Sequence, residues 1–362
     1  MPPSIDLKSI TDPAINNYMT LTGTPGMSAA VSVNNQNVNT QDIETFGYGY
    51  IDTAKSASVT AETIFCLGSV TKLFTAIILQ SLVNQGQASL DSRVTELLPM
   101  VPHECPLASV TLQDLATHTA GMPNNIPGEN AIELFGDKAP AQDLVRWWGR
   151  FKPEPAIGTC YRYSNIGFVT LGFAVSGMVA GVSQYSQQLA NLITTPLEMA
   201  NTGAFPQGAS VALGYTGTAT TNNPSNLPGH DLKSNASDMS KLLVASIVPS
   251  GSGGVGTAVS GTQESYFTGN NCDGSKAPLT FQQGLAWEIR QVTINNRPYT
   301  LLTKNGIATT AGFMAWIGVV PNIAGVVLLM NKVMTGTPPI TMAACGQTII
   351  KGIVTALNNQ GE

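Results

Sequence analysis

Apolar segments of strand length lie at both ends of this 362-residue chain, and helical patterns fill the stretch between them. Near the start, residues 27–33 and 46–51 form two such segments separated by the polar turn Asn34 to Asn37, which predicts an antiparallel hairpin. Near the end, 284–290, 299–304, 313–320 and 325–330 are divided by turn signals at Asn295-Asn296 and Pro321-Asn322, which predicts an antiparallel meander. Helical spacing appears at Leu7, Ile10, Ile15 and Tyr18, and again at Leu73, Phe74, Ile77, Ile78 and Leu82, where Gly86 is placed to end the helix. Further helices are expected over 111–119, 141–151, 166–179, 183–193 and 341–357. The fold class that satisfies this order is α+β, with one antiparallel β-sheet built from both chain ends, flanked by N- and C-terminal helices, and an all-helical lobe inserted.

Composition removes several functions. Charged residues are 11% of the chain and hydrophobic ones 43%, which excludes a disordered polyelectrolyte. The net charge is −5 and the 17 Lys and Arg are scattered singly, so no basic footprint for nucleic acid exists. The five cysteines form no C-x-x-C pair, and a chain this long needs no disulfide staples, so they are expected to be packing residues. His103, His118 and His230 have no ligand spacing, and neither metal nor cofactor is expected. The apolar run 166–182 is interrupted by Gly167, Gly172, Gly177 and Gly181 and fits a core helix, not a membrane span. Trp147, Trp148 and Tyr185 are expected in the core of the helical lobe. Residues 215–229, rich in Ser, Thr, Asn, Pro and Gly, are expected to be a surface loop, and the sequon Asn235-Ala-Ser237 is ordinary in so Asn-rich a chain. The opening Met1-Pro2-Pro3-Ser4-Ile5-Asp6 lacks the cationic start and apolar core of a secretory signal, which fits either a cytoplasmic protein or a mature chain with an added start.

Three short elements carry chemistry. Ser69-Val70-Thr71-Lys72 opens a predicted helix, and three-residue spacing puts the hydroxyl and the amine on one face, where the amine can take the serine proton. The same spacing also suits a capping serine beside a solvent-facing lysine. Tyr163-Ser164-Asn165 precedes an apolar helix, which can hold a phenol rigid in a cleft; Asn165 as a helix cap is the plain alternative. Lys304-Asn305-Gly306 lies in the late strand set, where Gly306 would let a substrate backbone approach, although Asn-Gly between apolar runs is also a hairpin signal. Their order and placement suit serine acyl transfer.

With these segments the chain resembles the penicillin-recognising serine enzymes, and within them the class C β-lactamases. The resemblance runs through Phe65-Cys-Leu-Gly-Ser-Val-Thr-Lys-Leu-Phe-Thr75, Asp114-Leu-Ala-Thr-His-Thr-Ala-Gly121, Tyr163-Ser-Asn165, Gly284-Leu-Ala-Trp-Glu288 and Lys304 through Lys332. It covers roughly 26–357 and implies a sandwich domain of 1–75 and 206–362, a mostly helical domain of 76–205, and an active site in the cleft between them. It further implies Ser69 as the acylated nucleophile, Lys72 as its proton partner, Tyr163 as general base and acid, and Lys304 as the group that stabilises a tyrosinate and attracts substrate carboxylate. Asn165 would hold the acyl-amide side chain, the N–H groups of Ser69 and Ile307 would form the oxyanion hole beside Gly306, and Asn125, Asn305 and Asn331 would line the substrate. A phenol with a solution pKa near about 10 needs such cationic neighbours to act as a base at neutral pH.

The chain departs from the family pattern at Asn305, where a threonine is usual, at Cys66, where a glutamate is usual, at Ser164, as in D-Ala-D-Ala peptidases, and in a shortened 203–229 region. The implied activity is that of a serine β-lactamase hydrolysing β-lactam amides, with a DD-peptidase or a family VIII-type carboxylesterase as alternatives and a penicillin-binding sensor that acylates without turnover as a third. The implied setting is a periplasmic or secreted monomer in antibiotic resistance.

Overall fold

The computed structural model describes residues 5–35, 40–102, 104–126, 135–136, 139–140, 142–176, 181–203, 210–217, 219–221, 232–272 and 277–360. Helix α1 (Leu7–Thr22) starts where the Asp6 carboxylate accepts the Ser9 N–H at 3.0 Å and ends at Gly23, whose φ of 60° is the left-handed close that glycine takes without strain. Strands β1 (Gly26–Asn35) and β2 (Thr40–Gly49) follow as the expected hairpin. The helical stretch contains α2 (Thr71–Asn84), α3 (Leu112–Ala116), α4 (Gln142–Arg150), α5 (Asn165–Val175) and α6 (Gly181–Leu189). Two helices absent from the sequence reading come next, α7 (Ala236–Ile247) and α8 (Gly253–Thr262). The chain closes with β3 (Gln282–Gln283), β4 (Glu288–Ile294), β5 (Arg297–Ala308), β6 (Phe313–Val320), β7 (Ala324–Met330) and α9 (Met342–Gln360).

The seven strands form one antiparallel sheet in the order β2-β1-β7-β6-β5-β4-β3. β1 pairs with β7 from Met27↔Met330 to Val33↔Ala324, so the two chain ends meet inside the sheet. This is the α+β arrangement that the segment order predicts. Every residue of β7 is buried, because both faces are covered and alternate side chains serve opposite cores. Val326, Leu328 and Met330 pack with Trp316 and with Ile15 and Tyr18 of α1 and Ile349 and Ile353 of α9. Val327 and Leu329 join the larger core that continues through α2, α5, α7 and α8. Every residue of α2 from Thr71 to Leu82 is buried, Lys72 included, as expected of a helix enclosed on all sides. Trp148 and Tyr185 are core residues of the helical part, bonded to Thr170 and Thr75 respectively, and Trp147 packs partly buried against the same core.

The structure corrects several expectations. Residues 284–290 do not form a continuous strand. Gly284–Trp287 turns into the helical part, with the Leu285 N–H on the Thr262 carbonyl (3.0 Å), the Ala286 N–H on the Ala116 carbonyl (3.1 Å) and Ala286 at φ 68°. An apolar run reads the same whether it is buried in a sheet or plugged between helices. α7 and α8 escape notice because their sequence is rich in Ser and Gly. Asn235 of the sequon is fully buried and caps α7 by accepting the Asp238 N–H at 2.8 Å. Cys160 and Cys272 form a disulfide (Cα–Cα 5.5 Å) across 112 residues, so only Cys66, Cys105 and Cys345 are the buried packing thiols expected of all five. Chain length removes the need for a disulfide but does not forbid one. Of the loop expected over 215–229, Tyr215–Thr216 pairs with Lys332–Val333 and much of the rest lies outside the described residues. No helix among the described residues is long and apolar enough to cross a membrane.

Candidate active site

The nucleophile segment is held from below by a short ladder, Phe65↔Ser234 and Cys66↔Lys233, and by the Leu67 N–H on the Leu232 carbonyl (2.8 Å). A single 3₁₀ turn, Gly68–Val70, then carries Ser69 to the N-terminus of α2. Lys72 follows one helical turn later, and its Nζ donates to Ser69 Oγ at 3.1 Å and to Asn165 Oδ1 at 2.8 Å. The capping-serine alternative therefore fails, since Lys72 is fully buried and points at the hydroxyl.

Tyr163 enters from a different part of the chain and donates from Oη to Ser69 Oγ at 2.5 Å. Ser69 Oγ thus sits between an amine and a phenol. Ser164, not Asn165, caps α5, accepting the Gly167 N–H at 2.8 Å on its Oγ. That division leaves the Asn165 carboxamide free to reach Lys72, and its Nδ2 lies 3.5 Å from Oδ1 of the exposed Asn125.

Lys304 lies in the interior of β5, so Asn305-Gly306 belongs to a strand and not to a hairpin turn. Pairing with β4 stops at Glu288↔Thr303, and β5 runs on to Ala308 against the nucleophile turn. The approach is close enough that a Cβ on Gly306 would lie 2.0 Å from the Leu67 carbonyl, and one on Gly68 would lie 2.7 Å from the Ile307 nitrogen. Glycine on both sides is what lets the backbone of Ile307 come up to Ser69. The nitrogens of Lys72 and Lys304 lie 5.2 and 5.4 Å from the Tyr163 ring centroid. Burial lowers the Lys304 pKa, the Tyr163 phenol works against that shift, and the Lys72 charge adds to it. A pair of buried ammoniums is costly, which is why burial and the Lys72 charge both push the Lys304 amine in that direction.

Two expected residues stand apart. Asn305 is exposed and shares its face of the sheet with Trp316 opposite, and its side chain hydrogen-bonds to none of the described residues, whereas Lys304 and Gly306 face the turn. Asn331 is fully buried. Its Oδ1 accepts the Gly26 N–H at 2.8 Å and its Nδ2 donates to the Ile51 carbonyl at 3.1 Å, so it fastens strand ends and does not line the substrate. The resemblance alone suggested a site role for it, whereas here its carboxamide is committed to backbone groups.

His118 was not among the expected site residues. It lies under Tyr163 with ring centroids 4.4 Å apart, and burial first, then the charges of Lys304 and Lys72, hold it well below its ordinary pKa and therefore neutral. Its place in the Asp114–Gly121 segment was the only sequence signal. No group of three or more His, Cys, Asp and Glu converges among the described residues, and His103 and His230 lie outside them.

Known proteins resemble this chain in sequence and in fold. The curated relatives include the beta-lactamase of Escherichia coli (strain K12), 26% identical over 79% of this chain and 80% of the relative, and that of Yersinia enterocolitica, 25% identical over 86% and 83%. The unguisins hydrolase ungD' of Aspergillus campestris is 30% identical over 57% of this chain, which spans 38% of that relative's length. Among solved structures, a class C beta lactamase from Rhodobacter sphaeroides shares the fold with a TM-score of 0.76 at 24% identity, covering 96% of this chain and 99% of that one. The family model described as Beta-lactamase, whose members are serine hydrolases, matches residues 11–343, a span that includes the serine turn, the tyrosine loop and the lysine strand, and on that match this chain belongs to the Beta-lactamase family.

Proposed function

We propose that this chain is a serine hydrolase of class C type that opens β-lactam amides through an acyl-enzyme on Ser69. The observation that carries the reading is the position of Ser69 Oγ, within hydrogen-bond reach of both Lys72 Nζ and Tyr163 Oη. In acylation the Ser69 proton passes to whichever of these two neighbours is in its base form, and Oγ bonds to the lactam carbonyl carbon. The carbonyl oxygen takes negative charge beside the Ser69 and Ile307 N–H groups, which the two close-approach glycines support as an oxyanion hole. The C–N bond then breaks and the ring nitrogen takes a proton from Tyr163 Oη. Deacylation runs in the same order with water in place of serine, Tyr163 accepting the water proton and returning one to Ser69 Oγ. Lys304 places its amine beside the phenol, and Asn165 with Asn125 offers carboxamides to the acyl side chain.

A cleft between the sheet-bearing segments 1–75 and 206–362 and the helical segment 76–205 suits this site. Export to the periplasm or medium is supported by the Cys160–Cys272 disulfide, which persists in oxidising compartments. A second reading, hydrolysis of a peptide or ester by the same groups, draws on Asn305 in the lysine motif and on the partial likeness to a protein described as a hydrolase of unguisins. The test is nitrocefin hydrolysis followed in parallel by intact mass, for wild type and Ser69→Ala. Turnover lost in the variant supports the β-lactamase; a persistent single adduct on Ser69 indicates a penicillin-binding protein without turnover. Inertness toward nitrocefin together with hydrolysis of p-nitrophenyl esters selects the second reading.

A further inference from the structure

Three observations converge on His118. It follows the last turn of α3 with φ at 61°, the left-handed closing position that helices usually give to glycine, and which costs a side chain about 1 kcal/mol or more. It is 1% exposed, and its Nε2 has no hydrogen-bond partner among the described residues, an unusual expense for a buried ring. Its N–H closes the helix on the Leu115 carbonyl at 3.3 Å, while its carbonyl, Nδ1 and ring hold the residues around Tyr163. The His118 carbonyl accepts the Arg162 N–H at 2.8 Å, Nδ1 accepts the Ser164 N–H at 3.1 Å, and the ring lies on the Tyr163 ring at 35°. The bond to Nδ1 places the ring proton on Nε2.

We propose that His118 is a positioning residue for Tyr163: it clamps the backbone on both sides of the tyrosine and packs its ring, which keeps Oη at the Ser69 hydroxyl. The proposal rests on the reading of Ser69 as nucleophile. Strained backbone at a bulky residue persists where the surrounding structure enforces it, and such sites serve function more often than packing. A neutral ring meets the same need. Lys72, Lys304, Tyr161 and Tyr163 face this pocket, and a cationic histidine would compete with the two lysines for the phenol. The outer side of the loop is secured independently, through the Tyr161 N–H on the Asn270 carbonyl and the Cys160–Cys272 bond. His118 therefore controls where the phenol points more than whether the loop is present.

The test compares wild type with His118→Asn and His118→Ala, using Ser69 labelling by a fluorophosphonate, read by intact mass, and nitrocefin kcat and KM. Asn tolerates the left-handed backbone and its Oδ1 takes the place of Nδ1, whereas Ala removes both acceptor and ring. Rates are expressed per labelable site, so a smaller folded fraction does not count as a slower enzyme. His118→Asn is expected to lose about 10-fold and His118→Ala about 100-fold in rate per site, with KM held within about threefold, as for an ångström-scale misplacement of a proton-transfer group. Labelling rates within about twofold of wild type in the folded variants, or a loss confined to the labelable fraction, overturn the proposal. If His118→Ala does not fold, His118→Asn and the ¹⁵N shifts of wild-type His118 carry the test, and a proton found on Nδ1 overturns it. A wild type inert to both probes overturns the reading of Ser69 and this inference together, while an active wild type with unaffected variants overturns this one alone.

Discussion

Replacing Gly306 by alanine probes the join on which the oxyanion hole depends. The added Cβ would lie 2.0 Å from the Leu67 carbonyl oxygen and 3.0 Å from the Val70 nitrogen, both backbone atoms that no rotamer change can move. Bringing the first contact out to an ordinary 3.4 Å takes about 1.4 Å of separation between β5 and the nucleophile turn. Separation on that scale carries the Ile307 N–H away from the developing oxyanion, and loss of one such donor costs roughly 10²–10³ in kcat. The expected result is a nitrocefin kcat reduced about 100-fold or more, with Lys72 and Tyr163 still able to serve Ser69. Gly203→Ala is the control, since a Cβ there meets nothing within 4 Å. A folded Gly306→Ala enzyme with kcat within about threefold of wild type would refute the reasoning, because strand and turn would then be shown not to act as one unit.

Asn331→Leu strands the buried Gly26 N–H and is expected to cost about 1–3 kcal/mol in urea unfolding, with kcat/KM of the folded enzyme unchanged; a raised KM at full stability would instead restore a substrate role. Cys160→Ser with Cys272→Ser opens a loop of 112 residues and should lower stability by about 2–5 kcal/mol, read by thermal unfolding under non-reducing conditions. An unchanged transition would show that the bridge constrains nothing. Because His118 is held well below its ordinary pKa of 6.5 in the folded protein, the unfolded chain binds the extra proton as pH falls through that value. Stability present above pH 6.5 is therefore lost progressively below it. Urea unfolding between about pH 7 and 5 should show a shallower slope in His118→Asn than in wild type, and equal slopes would contradict the assignment.

The sheet was legible because its patterns are local. Apolar segments of strand length at both ends must find partners, and β1 with β7 is the pairing that encloses both. Where composition masked the pattern, in the Ser- and Gly-rich α7 and α8, or where one apolar run served two purposes, at 284–290, sequence reasoning missed the element or misjudged its extent. Helix geometry alone makes Ser69 and Lys72 neighbours, one turn apart. Tyr163 and Lys304 were marked as candidates by the placement of their motifs, but their roles toward Ser69 came only from the resemblance, since nothing in the spacing of either residue states a distance to Ser69. What the sequence by itself determined was therefore the class of fold and a set of candidate reacting groups. Their convergence on Ser69 Oγ, the Cys160–Cys272 bond, the burial of Asn331 and the clamp made by His118 were decided by tertiary structure. Each joins residues remote along the chain, and their meeting depends on how whole elements pack, which no local pattern encodes.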